Sequence, residues 1–168
     1  EGNFLEALGN GASDGMKLAI NIAAMLIAFL SVIALLNWLL GLVSFGGITL
    51  SIELILGYLF MPLAFLMGAP WSEAQTLGSL MGQKLVLTEF IAYGNLATLG
   101  NDISVRTATI AAYALCGFAN FASIGIQLGG IGSIAPERKK DLSKLVTKAM
   151  FGGALASWLT ATIAGILI

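Results

Sequence analysis

The sequence predicts an all-α, polytopic membrane protein, and three observations lead to that fold class. Of its 168 residues, 58% are hydrophobic and only 10% are charged, whereas a soluble domain carries about 25% charged residues. Two uncharged stretches, 18–52 and 107–136, are each longer than the roughly 20 residues that cross a bilayer. Glycines, prolines and charged residues separate the apolar segments. This pattern predicts several helices rather than one.

The composition excludes several classes of function. There is no histidine, and Cys116 is the single cysteine, so the sequence offers neither an internal disulfide nor a metal site. No nucleophile–base pair is present for an intramembrane enzyme, and no basic patch with interleaved aromatic residues indicates nucleic acid. We therefore expect neither an enzyme nor a bound cofactor. Because the chain opens Glu-Gly-Asn and shows no signal peptide, we expect the C-terminal part of a longer membrane protein.

Residues 1–47 are predicted to form a polar lead-in and a scaffold transmembrane helix. Residues 1–16 are polar and rich in Gly and Asn, which is typical of a loop that enters a helix. Ala19 to about Val43 then forms a tilted spanning helix, which Gly46-Gly47 breaks. Asn37 is expected to form an interhelical hydrogen bond near one end.

Residues 48–70 are predicted to form an interfacial helix. The apolar segment from Ile48 to Met67 is long enough to span a membrane. However, Glu53, the internal Pro62 and the stop at Pro70 favour a helix that lies along the interface.

Residues 71–105 are predicted to form a re-entrant helical hairpin. No window of about 20 residues in this segment is free of charge, so neither half crosses a bilayer alone. Two short amphipathic helices, about 72–86 and 90–99, place the tip of the hairpin at Leu87-Thr88-Glu89. A carboxylate among apolar residues in a membrane segment is a functional-site hypothesis. The alternative is a Glu89 that extends to the surface from a helix end.

Residues 106–135 are predicted to form a broken transmembrane helix. The middle of this uncharged stretch carries Gly117, Asn120, Ser123 and Gly125. Polar atoms at that depth must be paired, and Asn120 and Ser123 would share a face if the backbone were helical. One hypothesis is that these side chains line a substrate site at a break in the helix. The other is a packing helix with a structural Asn–Ser hydrogen bond.

Residues 136–168 combine a basic loop with the last transmembrane helix, from about Leu142 to Ile168. The loop and the first turns of the helix carry five of the eight basic residues, at positions 138, 139, 140, 144 and 148. Short loops rich in Lys and Arg stay in the cytoplasm. We therefore predict that segment 136–148 is cytoplasmic, that the C-terminus lies outside, and that the hairpin lies on the outer side.

Three separated motifs are similar to those of one family, the concentrative nucleoside transporters. Segment 82–93, Gly-Gln-Lys-Leu-Val-Leu-Thr-Glu-Phe-Ile-Ala-Tyr, resembles the signature Gly/Ala-x-Lys-x3-Asn-Glu-Phe-Val-Ala followed by an aromatic residue or Met. Segment 116–125, Cys-Gly-Phe-Ala-Asn-Phe-Ala-Ser-Ile-Gly, resembles the penultimate helix of the family, and loop 133–140 and the Thr-Ile-Ala-Gly at 162–165 are similar too. Thr88 and Ile91 depart from the Asn and Val that many members have.

The resemblance implies a place for each part of the chain. It corresponds to a scaffold helix followed by the second of two inverted repeats, each with a hairpin and a broken helix. By resemblance, Glu89, Asn120 and Ser123 hold the ribose hydroxyls and Phe118 packs against the nucleoside, with Thr88 and Cys116 beside the site. The missing N-terminal half would hold most of the coupling-cation site, and family members are homotrimers.

The function expected from the resemblance is ion-coupled uptake of nucleosides such as uridine, driven by sodium or protons. It would proceed by alternating access across the plasma membrane, in bacteria the inner membrane, with this chain carrying the ribose-binding half of the site. A different class of function stays open. In a structural or channel-like subunit without coupled transport, the side chains of Glu89 and Asn120 would only satisfy each other's hydrogen-bonding groups across helices.

Overall fold

A computed structural model describes residues 3–42, 44–45 and 48–168, and this part of the chain is almost entirely helical. A two-residue β-hairpin, in which β1 (Ser44–Phe45) pairs antiparallel with β2 (Ile48–Thr49), is the exception among these residues. The all-α fold class is therefore confirmed at this level. The helices are α1 (Phe4–Gly41), α2 (Ile52–Leu66), α3 (Trp71–Val86), α4 (Glu89–Leu99), α5 (Val105–Leu115), α6 (Phe121–Ile134) and α7 (Lys139–Leu167), with 3₁₀ turns at Gly100–Asp102 and Pro136–Arg138.

Helix α1 begins earlier than the sequence predicts. The side chain of Asn3 accepts a hydrogen bond from the backbone N–H of Glu6 at 2.9 Å, which is the bond that an N-cap makes. The prediction of a loop over residues 1–16 is therefore wrong from Phe4 onward, because a cap outweighs the low helix propensity of the scattered glycines. Val43 and Gly46-Gly47, where the end and break of this helix were predicted, lie outside the described residues, as do Glu1 and Gly2.

Two helical segments within the described ranges, Phe4–Gly41 and Pro136–Leu167, are long and apolar enough to cross a membrane. The apolar surface of α1 is almost entirely exposed in this chain, whereas about two-fifths of the apolar window in the second segment is buried (39%). The last helix was predicted to start near Leu142, but helical structure runs from Lys139 because the turn at 136–138 leads directly into it. Helix α1 thus lies at the edge of the structure.

Helices α2 and α3 pack backbone to backbone. A Cβ atom at Gly78 of α3 would overlap the carbonyl oxygen of Gly57 on α2, and one at Gly82 would lie 3.0 Å from the carbonyl oxygen of Glu53. Helix α2 continues through Pro62. Its placement along the membrane interface stays a prediction.

Asn37 joins α1 to the start of α2. Its amide nitrogen donates to both carboxylate oxygens of Glu53, at 2.8 and 3.0 Å, and its carbonyl oxygen accepts from the backbone N–H of Ile52. The interhelical hydrogen bond predicted for Asn37 is confirmed. Glu53, which the sequence analysis took as a sign of an interfacial helix, is held by this amide.

Helices α3 and α4 form a hairpin whose bounds agree with the predicted pieces to within one residue. The turn consists of Leu87 and Thr88, and the Thr88 side chain caps α4 by accepting from the backbone N–H of Ile91 at 3.4 Å. At the other end of the hairpin, Glu73 accepts hydrogen bonds from the backbone N–H and the hydroxyl of Ser104, at 3.1 and 2.7 Å. The dip of this hairpin into a membrane stays a prediction.

Residues 116–120 separate α5 from α6 without helical structure. Gly117 has a φ of +126°, a backbone conformation that residues other than glycine adopt only with strain. A Cβ atom there would overlap the hydroxyl oxygen of Ser157 on α7. The chain therefore changes course at Gly117, within the segment where a break was predicted, and the crossing of a membrane by α5 and α6 stays a prediction.

Arg106 of α5 forms hydrogen bonds to the connection after α2 and to the end of α7, at the base of the hairpin. Its guanidinium group donates to the carbonyl oxygens of Gly68 at 2.8 Å, Gly165 at 2.6 Å and Ile168 at 2.8 Å. These oxygens belong to the connection after α2 and to the end of α7. The ends of α2 and α7 and the start of α5 consequently lie side by side.

Candidate functional site

The centre of the candidate site is a hydrogen bond between the hairpin turn and the break between α5 and α6. Glu89 is the first residue of α4, and its Oε2 accepts from Nδ2 of Asn120 at 2.9 Å. The two residues are 31 positions apart in sequence, so only the packing of the hairpin against the break brings them together.

Asn120 is oriented by the start of α6. It is the N-cap of that helix, and its Oδ1 accepts from the backbone N–H of Ser123 at 2.7 Å. The hydroxyl of Ser123 in turn donates to the Asn120 carbonyl oxygen at 2.6 Å and accepts from its backbone N–H at 3.3 Å. Both side chains are fully buried. The amide of Asn120 therefore has one end bound to its own helix and the other end aimed at Glu89.

The idea that Asn120 and Ser123 share a helix face is wrong, because Asn120 precedes the helix and meets Ser123 through a capping box. The structural Asn–Ser hydrogen bond proposed as the alternative is present. It occurs together with the break in the helix, so the two sequence hypotheses do not exclude each other.

Glu89 keeps one carboxylate oxygen open. The side chain is partly buried, and Oε1 accepts no hydrogen bond from the residues that the structure describes, whereas Oε2 is bound by Asn120. The apolar neighbours in sequence do not enclose it, since Phe90 is 84% exposed and Ile91 is 41% exposed in this chain. An ionised carboxylate with a free oxygen is a strong acceptor for a ligand hydroxyl.

The remaining predicted site residues lie in or beside the two turns. Phe118 is 55% exposed within the break, where its ring is accessible to a ligand. Thr88 is occupied by its cap of α4. Cys116 is an exposed thiol that ends α5. Cys116 and Asn120 do not share a helix face, because residues 116–120 are not helical.

Sequence reasoning missed Lys84. This residue lies in the last turn of α3 and is fully buried, and its Nζ has no hydrogen-bond partner among the described residues. It interacts electrostatically with Glu89 and Cys116. The available signal was its position five residues before Glu89 in the resembling motif, but its burial depends on packing that a linear pattern does not show.

The described residues contain no group of three or more His, Cys, Asp or Glu side chains that could hold a metal ion. An apolar cavity of about 270 Å³ lies beside the site, between α1, α2 and the ends of α3 and α6. Its lining comes from apolar side chains such as Phe29, Val86 and Phe121. The polar chemistry of the site is thus concentrated at Glu89, Asn120 and Lys84.

Comparisons with known proteins agree on one family. A family model described as the C-terminus of Na⁺-dependent nucleoside transporters matches residues 1–165. The uncharacterized transporter YutK of Bacillus subtilis is 50% identical over 170 residues, which cover 99% of this chain and 42% of that protein. Sodium/nucleoside cotransporter 2 of Rattus norvegicus is 42% identical over 186 residues, which cover 99% of this chain and 28% of that protein.

Solved structures of CNTnw superpose on the chain. A variant of CNTnw in an outward-facing state gives a TM-score of 0.89 at 42% identity, and CNTnw in an inward-facing substrate-bound state gives 0.72 at 43% identity. Each superposition covers 98% of this chain and, respectively, 42% and 40% of the other. The chain spans less than half the length of these relatives, and its helices are arranged more as in the outward-facing structure.

Proposed function

The chain belongs to the family of Na⁺-dependent nucleoside transporters, and on that premise we propose that it is the ribose-binding half of a nucleoside transporter. The complete protein would be a multi-pass transporter of the plasma membrane that takes up nucleosides such as uridine by alternating access. Its relatives are transporters rather than enzymes, and several are named as sodium/nucleoside cotransporters. Sodium is therefore the coupling cation that we propose, bound mostly by the N-terminal half.

The observation that carries this proposal is the state of the Glu89 carboxylate. Asn120 holds one of its oxygens at 2.9 Å, and the other oxygen accepts no hydrogen bond from the described residues. The ribose of a nucleoside has vicinal 2′- and 3′-hydroxyls, which are paired donors that suit a carboxylate acceptor. With Phe118 exposed nearby, the site offers polar contacts to the sugar and an apolar contact to its ring or base. Ser123 supports this site by orienting Asn120.

The described contacts support the predicted topology. Through Arg106, the end of α7 lies beside the base of the hairpin. At the opposite end of α6, Ser133 and Ile134 line one pocket with Asp14 and Lys17 of α1. We propose that the hairpin base and the C-terminus face outward, and that the start of α1 and the basic loop 136–148 face the cytoplasm. By family resemblance, we propose that the complete protein forms a homotrimer.

The same Glu89–Asn120 hydrogen bond favours a second candidate function. In a structural or channel-like subunit, this bond would only satisfy two polar groups across helices. The two functions differ in what the open oxygen of Glu89 does, since only a transporter needs it for substrate.

Uridine uptake by the full-length protein in vesicles tests the proposal. Transport should be saturable and sodium-dependent, and Glu89→Gln should raise the uridine KM by about ten- to a hundred-fold, because losing a hydrogen bond to a charged group costs roughly 1.5–3 kcal/mol. A uridine analogue without the 2′- and 3′-hydroxyls should bind both proteins almost equally weakly. Glu53→Gln is the matched control, since Asn37 can still donate to the remaining carbonyl oxygen. Non-saturable leakage, or wild-type affinity in a well-folded Glu89→Gln protein, would support the structural or channel-like function instead.

A further inference from the structure

A second charged group, Lys84, lies within the hairpin, close to the turn that precedes Glu89. The two residues flank the hairpin turn, with Lys84 in the last turn of α3 and Glu89 at the start of α4. The lysine is fully buried, although Lys is among the residues least often buried without a partner.

The ammonium group of Lys84 has no hydrogen-bond acceptor among the described residues. An isolated buried charge is costly, and the cost is offset only by an opposite charge or by loss of the proton. Glu89 interacts electrostatically with Lys84, and its second carboxylate oxygen is not engaged by Asn120. The two cations that form ion pairs among the described residues, Lys17 and Arg138, lie on the exposed surface and pair with Asp14 and Asp141.

We propose that Lys84 is the counter-cation of Glu89, a positioning residue that keeps the carboxylate available to the ribose hydroxyls. This inference rests on the proposed function of Glu89. It adds that the hairpin itself supplies part of the positive charge of the site. The carboxylate would then have a charged partner while the site is empty, before substrate or a coupling cation arrives.

The surroundings contain few groups that could take this role instead. Glu89 and Cys116 interact electrostatically with Lys84, and also with Tyr93 of α4. On the other packed helices, Glu53 of α2 is bound by Asn37, Arg106 of α5 is bound to three backbone carbonyls, and Tyr113 of α5 is exposed. Helix α6 has no titratable side chain. Glu89 is therefore the carboxylate in this group that is left to balance the lysine.

The test compares the uridine KM of Lys84→Met and Lys84→Arg in the full-length transporter at saturating sodium. Lys84→Met removes the cation that balances Glu89 and should raise the uridine KM about tenfold, since hydrogen bonds to charged groups are stronger than those between neutral groups. Lys84→Arg keeps the charge and should stay close to the wild-type KM.

Two controls separate this role from a merely structural one. Lys17→Met removes an exposed lysine of α1 and should leave the uridine KM unchanged. In a protein that already carries Glu89→Gln, Lys84→Met should raise the KM no further, because the carboxylate that the lysine balances is gone. A Lys84→Met effect of equal size with and without Glu89→Gln, or a Lys84→Arg protein as impaired as Lys84→Met, would overturn the proposal.

Membrane accumulation provides a second readout that does not need uridine binding. If Lys84→Met accumulates poorly, Glu89→Gln in the same chain should restore it, because neither charge is then left unpaired; failure to restore it would overturn the pairing. If Glu89→Gln alone binds uridine with wild-type affinity, the ribose role of Glu89 fails. The accumulation of the double variant then still decides whether Lys84 and Glu89 form a pair.

Discussion

Gly117 lies so close to the hydroxyl of Ser157 on α7 that a Cβ atom does not fit between them. Gly117→Ala should therefore destabilise the break between α5 and α6, with a backbone cost of roughly 1–3 kcal/mol for the positive φ, and should reduce uridine transport. Ser157→Ala in the same protein should recover the steric part of the loss only. Gly152→Ala is the control, because nothing lies within 4 Å of a Cβ atom there. Thermal unfolding and uptake rates measure both effects, and an unaffected Gly117→Ala protein would contradict the strained conformation.

Asn120 has two roles that substitutions can separate. Asn120→Ser keeps a good N-cap for α6 but removes the amide that donates to Glu89. We expect near-normal folding with a uridine KM raised about tenfold or more, in line with roughly 1.5–3 kcal/mol for a hydrogen bond to a charged group. Asn120→Ala should lose stability as well, by about 1 kcal/mol for the cap. Equal uridine KM values for Asn120→Ser and the wild type would remove this residue from the binding site.

Arg106 should be irreplaceable by lysine. The planar guanidinium group reaches three carbonyl oxygens at once, whereas a lysine ammonium is a single point donor. Arg106→Lys should lower the melting temperature of the full-length protein, since each lost bond to a charged group is worth roughly 1.5–3 kcal/mol. Arg138→Lys should have little effect because its ion pair with Asp141 is exposed. Equal melting temperatures for the two variants would show that the Arg106 contacts do not stabilise the fold.

The contact between Glu73 and the start of α5, at the base of the hairpin and outside both candidate membrane spans, should depend on pH. Hydrogen bonds from Thr107 and then Ser104 lower the pKa of the Glu73 carboxyl. Because this pKa is lowered, the contact stabilises the fold fully at pH values above the usual pKa of a Glu side chain. That stabilisation is lost as the pH falls through the pKa of the folded state. Glu73→Gln should therefore melt at a lower temperature than the wild type at neutral pH. The gap should close in acid, and a gap independent of pH would argue against an ionised Glu73.

The topology predicts different labelling at two exposed positions. In a cysteine-free full-length protein, Lys140→Cys should resist an impermeant thiol reagent in intact cells, because the proposed topology places the basic loop in the cytoplasm. Asn101→Cys lies between α4 and α5 at the base of the hairpin, so it should react from outside. Reversed labelling would invert the proposed orientation.

Local signals predicted much of the fold. The end of α3 and the start of α4 were predicted from the charges and glycines that interrupt residues 71–102, and Thr88 caps α4 at that point. The start of α1 was missed because the single Asn3 cap is a weaker pattern than the glycines after it. Within the site, Glu89 and Asn120 were identified from their polarity in apolar surroundings. Their bond and the burial of Lys84 arise from packing between distant segments, which spacing along the chain does not encode.

The glycine contact between α2 and α3 has a mechanical consequence. Gly57 and Gly78 bring the two backbones together with no side chain whose rotamer could change to let the helices slide. In the proposed alternating-access cycle, helix α2 and the hairpin should therefore move together as one rigid body. If α2 lies among the lipid headgroups, as the sequence predicts, it would have to move through them during each cycle. The turnover rate should then depend on headgroup viscosity and bilayer thickness, even where substrate affinity does not.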